Sequence, residues 1–514
     1  MHVRRLTSTF ALVTLLAASA HAQTFRTQDS VIRRIWSLGM DSSQVEHLAQ
    51  VLDDSIGMRL SGTTGFQSAG DWLMALYKSW GVTARQEKYG TTRGWRIGPV
   101  AMSLLAPHYQ TLDVHLLAMS PGTGNKPVEA DAVLFPEDST RLDAVKNKFV
   151  LLSAPEIMCR AAQELEKYGR PATVARIADQ RAAVQRDWLA KIRALGGTAN
   201  AARLLQNAGA AGIVTTLWSG GWGVNKIFNA SVDRIPSVDL SCEDYGLVYR
   251  LAANHQGPRL RLTADAEARP DQPMFNVIAE LKGRELPNEY VLLSAHLDSW
   301  HGATGATDNG TGTVMMAEAM RILRTAYPNP RRTILVGHWG GEEQGGFGSR
   351  TFGEDHPDIL EGMQVVFNQD NGTWRTELIE GQGFLGAGAN LARWLSFVPA
   401  EITSNLKLDV PGGQENAGSD HSSFICHGVP AFRLQSSYTE YRQYTWHTNH
   451  DTFDKLVIDD LKNNATLAAM LAYEASEDPT RVPRDKTILP PGQNGQPRPW
   501  PQCRQVERNP VPRP

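Results

Sequence analysis

Residues 290–323 of this chain read YVLLSAHLDSWHGATGATDNGTGTVMMAEAMRIL, an apolar run, a polar loop with glycines and a second apolar pattern. The run Tyr290–Ala295 is long enough for a buried strand, and the apolar spacing over Gly312–Leu323 predicts a helix. Further short apolar runs lie at Asn276–Ala279, Thr333–Gly337 and Gln364–Asn368. This alternation predicts an α/β domain with a largely parallel sheet.

The chain on either side of this region has a different pattern. Before residue 274 the pattern is helical over Ser42–Ser79, and short strands are expected within 111–155. We then expect a long helix over Val174–Leu195, a helix over Ala201–Ala211, a buried strand at Gly212–Thr216 and further strands to about residue 264. Residues 479–514 hold ten of the 28 prolines, so we expect an extended tail, either wrapped around the domain or loose.

Composition and charge exclude several classes of protein. With 514 residues, 41% hydrophobic and 20% charged, the chain is too apolar for a disordered protein, and its apolar residues are too dispersed for a polytopic membrane protein. A formal net charge of −3 and a pI near 6.5 give no electrostatic reason to expect nucleic acid or an anionic membrane as partner.

The first 22 residues indicate a secretory signal peptide. They combine a basic start, an apolar run too short to span a membrane, and Ala20-His21-Ala22 before a cleavage site. We therefore expect an exported protein, periplasmic or extracellular, without a membrane partner once the signal is removed. Its four cysteines, Cys159, Cys242, Cys426 and Cys503, show no CxxC spacing. Export permits disulfides, and the sequence leaves three full pairings and isolated thiols open.

Metal-ligand side chains occur where strands are predicted to end. His296 and Asp298 follow the run Tyr290–Ala295 and can point the same way, so Asp298 could accept a hydrogen bond from an imidazole whose other nitrogen binds zinc. Asp308 lies in a glycine-rich turn before a helix, where it is either a helix cap or a carboxylate bridging two cations.

Three more positions complete the set. Glu342 and Glu343 lie among four glycines after the strand Thr333–Gly337, as a solvated loop or as a ligand beside a base that takes a proton from metal-bound water. Asp370 follows a strand as a turn residue or a ligand. Helix capping is a sufficient explanation for Asp451 and Thr452, but it does not explain His447. Together these residues suit two zinc ions with nitrogen and oxygen ligands and a general base.

The order of these motifs resembles that of the M28 zinc exopeptidases. His-x-Asp, Asp-Asn-Gly, Glu-Glu, Asp and His-Thr-x-x-Asp-Thr follow one another as in that family, and HLDSW with the chain layout is most similar to its carboxypeptidase Q branch. Residues 204–214 and 235–238 resemble an inserted protease-associated (PA) domain. The resemblance implies a three-layer α/β/α domain with a mixed, mostly parallel sheet and a β-rich insertion. The implied divisions are a signal at 1–22, an N-terminal helical part at 23–114, the insertion at 115–266, the catalytic domain at 267–478 and a proline-rich tail at 479–514.

The resemblance also implies roles for single residues. The zinc ligands would be His296, Asp308, Glu343, Asp370 and His447, with Asp308 bridging two ions, Glu342 as general base and Asp298 supporting a ligand. Asp420 and His421 resemble a family segment near the site, where they support ligands or substrate or are ordinary buried polar residues. Trp446 and His301 depart from the family pattern, which places Tyr444 or the zinc ions as candidates to stabilise the oxyanion and leaves the role of His301 open.

These residues predict a secreted di-zinc exopeptidase acting on short peptides. Carboxypeptidase, aminopeptidase and dipeptidase specificity stay open, and homodimerisation is implied by the resemblance alone. A glutaminyl-cyclase-like acyl transfer is an alternative, but relatives with that activity usually keep a single zinc. An alternative of another class is a receptor-like binding protein on the same fold, which loss of the ligands or of the base would have favoured.

Overall fold

The computed structural model describes residues 27–124, 126–136, 142–370, 372–415, 418–437, 439–489, 491, 495–496 and 498–509. The signal peptide predicted at residues 1–22 lies outside the described residues. Within them, no helix has both the length and the apolar composition needed to cross a membrane.

The elements are numbered along the chain. The strands are β1 (Thr83–Ala106), β2 (Gln110–Leu112), β3 (Val114–Leu116), β4 (Val128–Leu134), β5 (Phe149–Leu151), β6 (Gly212–Thr215), β7 (Ser237–Leu240), β8 (Arg259–Leu281), β9 (Leu286–His296), β10 (Arg332–Trp339), β11 (Met363–Asn368), β12 (Thr376–Glu380), β13 (Lys407–Asp409) and β14 (Ala431–Ser436). The helices are α1 (Ser30–Trp36), α2 (Val45–Gln50), α3 (Thr64–Ser79), α4 (Ala162–Tyr168), α5 (Pro171–Ala194), α6 (Thr198–Asn207), α7 (Cys242–Ala253), α8 (Thr311–Ala326), α9 (Phe347–Asp355), α10 (Pro357–Gly362), α11 (Ala387–Leu395), α12 (Ala400–Thr403), α13 (Ser422–Ile425) and α14 (Ile458–Glu477).

The main sheet has the strand order β13-β12-β14-β11-β9-β10-β8, with β1 antiparallel to β8. The pairs β9–β10, β9–β11, β11–β14 and β12–β13 are parallel, whereas β8–β10 and β12–β14 are antiparallel. The prediction of a mixed, mostly parallel sheet is therefore confirmed.

Helices cover both faces of this sheet. Successive side chains of a strand point to opposite faces. Along β10, the ring of His338 meets Tyr77 of α3, with 2.7 Å between Nε2 and the phenol oxygen. The next residue, Trp339, packs on Phe352 of α9 at 5.1 Å between ring centroids. The two helices therefore lie on opposite faces, which makes three layers.

Two long strands join the main sheet to a second group of strands. β1 and β8 span 24 and 23 residues and stay paired from Thr83–Glu280 to Ala106–Arg259. Beyond β8 the order continues β4-β5-β6-β7-β3, with the pairs β4–β5, β5–β6 and β6–β7 parallel. Helices α4 to α7 flank this group, so the segment predicted as β-rich is an α/β unit with much helix. The predicted boundary at residue 266 falls inside β8.

The helical pattern predicted over residues 42–79 is divided between two helices in the structure. α2 ends at Gln50, a wide helical turn continues to Ile56, and α3 begins only at Thr64. Gly57 and Gly62 have φ of 82° and 90°. These left-handed conformations interrupt a right-handed helix, and apolar periodicity alone gave no sign of the interruption.

The described part of the proline-rich tail wraps around the main domain. The ring of Trp500 packs edge-on against Phe384 at 5.3 Å, and Arg508 forms an ion pair with Asp355 at 2.6 Å. The structure therefore selects the wrapped alternative for these residues.

Both cysteine pairs form disulfides. Cys159 bonds to Cys242 within the insertion, and Cys426 bonds to Cys503 of the tail. This is one of the three pairings that the sequence left open. The second bond ties the tail to the main domain.

Candidate metal centre

The candidate centre lies where neighbouring strands of the main sheet end. His296 is the last residue of β9, Asp370 follows β11, and Glu343 follows β10. The carboxyl ends of parallel strands meet at one edge of a sheet, so these side chains converge. His296 Nε2 lies 3.3 Å from Asp370 Oδ1 and 3.4 Å from Asp308 Oδ1.

Asp308 lies between the two predicted ligand histidines. Its Oδ1 faces His296, and its Oδ2 lies 3.2 Å from Nε2 of His447. The same nitrogen of His447 is 2.9 Å from Oε2 of Glu343. One carboxylate therefore contacts both imidazoles through different oxygens, while Asp370 and Glu343 each contact one.

The loop that carries Asp308 is held by Asp451. The backbone N–H groups of Thr307 and Asp308 donate to the two carboxylate oxygens of Asp451 at 2.8 and 3.0 Å. Helix capping, which sequence reasoning considered sufficient for Asp451, is therefore not the role that the structure gives it. Its place in the HTNHDT segment that starts at His447 was the available signal.

Asp298 supports the centre differently from the sequence expectation. Its carboxylate accepts hydrogen bonds from the backbone N–H groups of Glu342 at 3.1 Å and Glu343 at 3.3 Å. His296 Nδ1 lies 3.0 Å from the backbone oxygen of Asp298, whereas the carboxylate Oδ1 is 3.9 Å away. The acceptor for the imidazole is therefore a carbonyl, and the carboxylate orients the turn with the two glutamates.

Glu342 is the carboxylate of this turn that contacts neither histidine at ligand distance. Burial raises the pKa of Glu342 well above its ordinary value; His296 opposes this, and the carboxylates of Asp370 and Asp420 add to it. A carboxyl group with a raised pKa can accept and release a proton near neutral pH. This suits a general base.

Aromatic rings from two parts of the chain hold His447. The ring of Trp446 stacks on the imidazole at 3.9 Å, and Phe228 of the insertion meets it edge-on at 5.2 Å. The backbone N–H of Ile227 donates to the carbonyl of His447 at 2.9 Å. His447 has φ of 60°, a left-handed conformation that is uncommon for a residue with a side chain. The insertion therefore helps to fix a predicted ligand.

A chain of charged groups lies behind Asp370. Nη2 of Arg433 donates to the Asp370 carbonyl at 2.6 Å, and Nη1 pairs with Glu415 at 3.0 Å. Glu415 in turn contacts Nε2 of His421 at 2.8 Å. Burial raises the pKa of the neighbouring Asp420 to about 7. His421 thus supports the Asp370 loop indirectly, and Asp420 adds a buried carboxyl group near the centre.

Tyr441, rather than Tyr444, adjoins the carboxylates of the candidate centre. Tyr444 is 38% exposed and its ring packs against Gly221 of the insertion. Tyr441 is buried, and burial together with the carboxylates of Asp308 and Asp370 raises the pKa of its phenol well above the ordinary value. Both tyrosines line a cavity of about 360 Å³. Sequence reasoning missed Tyr441 because only tertiary packing distinguishes it from Tyr444.

His301 joins the loop after β9 to the insertion. Its Nε2 lies 2.7 Å from the carbonyl oxygen of Leu116, and its ring meets Trp95 edge-on at 5.0 Å. Burial lowers the pKa of His301 to about 4, so the imidazole is neutral at physiological pH and Nε2 is the donor. The contacts give His301 a structural role.

The donor set of the centre fits zinc. Tetrahedral zinc with bonds of about 2.0–2.1 Å separates its ligand atoms by about 3.3 Å. The four contacts between histidine nitrogens and carboxylate oxygens measure 3.4, 3.3, 3.2 and 2.9 Å. Among the described residues, Oε1 of Glu343 is buried without a hydrogen-bond partner. Because buried carboxylates are costly without compensating charge, this arrangement favours bound cations.

Sequence relatives of this chain are peptidases. Residues 276–472 match the model of peptidase family M28. Carboxypeptidase Q of Bos taurus is 26% identical over 444 residues, which cover 85% of this chain and 86% of the relative. Carboxypeptidase Q of Homo sapiens is 25% identical over 444 residues, with coverage of 85% and 86%.

Solved structures of peptidases have a similar fold. A peptidase M28 precursor from Shewanella amazonensis has a TM-score of 0.65 and 25% identity, covering 90% of this chain and 98% of that one. A zinc aminopeptidase from Bacillus subtilis has a TM-score of 0.57 and 18% identity, covering 89% and 98%. At that identity the second likeness concerns the fold.

Proposed function

We propose that this zinc metallopeptidase, which is similar to family M28, is an exported exopeptidase that holds two zinc ions and hydrolyses terminal peptide bonds of short peptides. The observation that carries the proposal is the carboxylate of Asp308. One of its oxygens faces His296 and the other faces His447, at 3.4 and 3.2 Å. A carboxylate in this position suits a pair of cations about 3.5–4 Å apart.

Each predicted ligand has a place in this arrangement. His296 and Asp370 would hold one zinc ion, His447 and Glu343 would hold the other, and Asp308 would contribute an oxygen to each. Zinc would supply polarisation of the scissile carbonyl and a lower pKa for water at the site. The supporting contacts described above hold the five side chains in place.

Glu342 acts as the general base. It accepts a proton from the attacking water and returns that proton to the nitrogen of the leaving amine. The hydrogen bond from its backbone N–H to the carboxylate of Asp298 holds the turn that carries it. Its raised pKa suits both halves of this transfer.

Export is supported by two features of the chain. The sequence of residues 1–22 is typical of a secretory signal. All four cysteines are paired in disulfides, which persist in oxidising compartments. The proposed location is the periplasm or the extracellular medium.

Two directions of cleavage are candidates. The relatives named carboxypeptidase Q support attack from the carboxyl end, and attack from the amino end is the other candidate because the residues of the centre do not distinguish the two. Dipeptides satisfy both specificities, so short peptides are the proposed substrates.

Two neighbouring substitutions and a metal analysis test the mechanism. Glu342→Gln should retain about two zinc ions per chain and lower kcat on the order of 10²–10⁴-fold, the usual contribution of a general base. Glu343→Gln is the matched control because it changes the same turn but removes a proposed ligand, so it should lose zinc as well as activity. Wild-type turnover in Glu342→Gln would refute the assignment of the base.

Blocked dipeptides test the reaction and its direction. Hydrolysis only with a free amine identifies an aminopeptidase or dipeptidase, and hydrolysis with a blocked amine but a free carboxylate identifies a carboxypeptidase. Failure of the zinc-loaded protein to cleave any peptide of the panel would refute the exopeptidase proposal and support a non-catalytic binding protein.

A further inference from the structure

A short antiparallel contact joins the insertion to the segment that carries His447. The backbone N–H of Ile227 donates to the carbonyl of His447 at 2.9 Å. The preceding residue of the insertion, Lys226, forms an antiparallel β-bridge with Thr448. The left-handed conformation of His447, with φ of 60°, costs free energy unless the surrounding structure holds it. The contact with the insertion supplies part of that support.

Asn449 closes this contact with both its backbone and its side chain. Its backbone N–H donates to the carbonyl of Asn225 at 3.0 Å, and its side-chain oxygen accepts from the N–H of Asn225 at 2.9 Å. Its side-chain nitrogen donates to the carbonyl of Gly223 at 2.9 Å. Because the side chain meets one backbone donor and one backbone acceptor, its oxygen and its nitrogen each have only one place.

The same amide nitrogen determines the protonation state of His115. Nδ2 of Asn449 lies 3.2 Å from Nε2 of His115, which belongs to β3 of the insertion. An amide nitrogen is a donor only, so Nε2 accepts and the imidazole carries its proton on Nδ1. The hydrogen bond therefore requires a neutral imidazole, because a proton on Nε2 would face the hydrogen of the amide.

Other titratable groups face His115 from its own strand and from three other elements. Asp113 Oδ1 lies 3.8 Å from Nε2, and Asp239 lies opposite His115 in the β3–β7 pair, where its carboxylate already accepts other hydrogen bonds. His450 is close to it in the main domain, and His301 in the loop after β9. Burial lowers the pKa of His115; Asp113 opposes this and His450 adds to it. The net direction favours the neutral imidazole that the contact requires.

We propose that Asn449 is a positioning residue for His447, and that it holds the segment of His447 on the insertion only while His115 is neutral. The inference rests on the proposed function, since it treats His447 as a zinc ligand, and it adds a dependence of zinc retention on pH. When solvent protonates Nε2, the new N–H donates to Asp113 and one N–H of the Asn449 amide loses its acceptor. The stabilisation is therefore present above pH 6.5 and lost as the pH falls through the lowered pKa of His115.

Hydrogen exchange of the zinc-free protein measures the contact directly, at the backbone amide of Ile227. Asn449→Asp replaces the donor nitrogen by an oxygen, so at pH 7.5 this amide should exchange about tenfold faster than in the wild type, the effect of losing one hydrogen bond. His115→Gln keeps an acceptor that does not titrate. In this variant the amide should exchange at the wild-type rate at pH 7.5 and about tenfold more slowly than in the wild type at pH 4.5. Comparison at equal pH cancels the pH dependence of exchange itself.

Chelator competition on the zinc-loaded protein tests the consequence for His447. At pH 7.5, Asn449→Asp should bind zinc about 10–100-fold more weakly than the wild type, as changes behind a metal ligand usually do. This ratio should narrow towards pH 5.5, because protonated His115 donates to the new carboxylate while the wild type loses its contact. His108→Gln is the matched control: it changes an exposed histidine between β1 and β2 and should follow the wild type at every pH.

Any of three results would overturn the inference. They are a wild-type exchange rate in Asn449→Asp at pH 7.5, unchanged zinc affinity in that variant, and identical pH profiles of exchange in the wild type and His115→Gln. The last comparison decides the matter even where Asn449→Asp does not fold. Exchange is measured without zinc or peptide, so failure of the wild-type protein to bind zinc or to cleave any peptide would instead refute the proposed function.

Discussion

Arg59 binds none of the proposed ligand side chains, but its replacement should disturb the candidate metal centre. Its guanidinium is completely buried and donates to four backbone carbonyl groups. The acceptors are Leu297 at 2.9 Å, Thr304 at 2.6 Å, Gly305 at 2.8 Å and Gly57 at 3.2 Å. Three of these anchor the loop that leads from the end of β9 to the turn carrying Asp308.

The contacts set the size of the effect. Arg59→Met removes all four hydrogen bonds and leaves the buried carboxylate of Asp53, 3.7 Å away, without its cation. A hydrogen bond from a charged donor contributes about 1.5–3 kcal/mol, and losing one partner of a buried ion pair costs about 3–5 kcal/mol. Because these terms overlap, we expect the free energy of unfolding to fall by about 5 kcal/mol. Arg59→Lys keeps the charge but not the planar fork, so it should cost about 2 kcal/mol.

Urea unfolding and chelator competition measure the two consequences. In Arg59→Lys the loosened loop should reduce zinc affinity about 10–100-fold, as changes behind metal ligands usually do. Arg332→Lys is the matched control. Arg332 is also buried and donates to the carbonyl of Ser476 at 3.0 Å, but it lies at the start of β10, away from the candidate centre. It should lower stability and leave zinc affinity unchanged. A loss below about 1 kcal/mol in Arg59→Met, or unaltered zinc affinity in Arg59→Lys, would refute this reasoning.

Four further substitutions address the bridge, one ion pair and the tail. Asp308→Asn should deplete both zinc positions and Asp370→Asn mainly one, so equal zinc content of the two variants by elemental analysis would contradict the bridging role. The hydrogen bond from His356 to Glu87, at 3.1 Å, raises the pKa of His356 above 6.5, so its stabilisation is present below pH 6.5 and lost as the pH rises through the raised pKa. His356→Gln should therefore lower the free energy of unfolding by about 1 kcal/mol at pH 5.5 and hardly at pH 9, and a pH-independent loss would exclude this explanation. Cys503→Ser opens a disulfide with a sequence separation of 77 residues and should cost about 4 kcal/mol in urea unfolding, whereas an unchanged midpoint would show that this disulfide adds no stability.

Strand ends were the most informative sequence feature. His296 and Asp370 follow apolar runs directly, and strands of a parallel sheet deliver such residues to a common edge. Local pattern therefore predicted a largely parallel sheet and the convergence of these two side chains, whereas the mixed character of the sheet was implied by the family resemblance. It could not predict the break of the helix after α2, because Gly57 and Gly62 also occur within helices and only tertiary packing decides their backbone conformation.

The supporting residues were beyond local pattern. Arg59 lies in the N-terminal part of the chain, and no motif connects it to the carbonyl groups that it binds after β9. Asp451 has an adequate local explanation as a helix cap, which concealed its contact with the loop of Asp308. Tyr441 lies in a turn of the main domain and Lys226 in the insertion. These two parts of the chain meet only after folding, so no local pattern predicts the positions of the two side chains.

The paired long strands β1 and β8 make the two halves of the molecule one cooperative unit. Domains joined by a flexible linker can melt separately, because few contacts cross the boundary. Here the backbone hydrogen bonds of a single ribbon continue from the main sheet into the insertion, with four irregularities in register but no gap that frees either strand. If one half unfolded, the part of the β1–β8 pair that continues into the other half would lose the residues packed against it. Heat should therefore unfold the protein in one transition. Peptidase activity and the folded structure of the insertion should be lost at the same temperature.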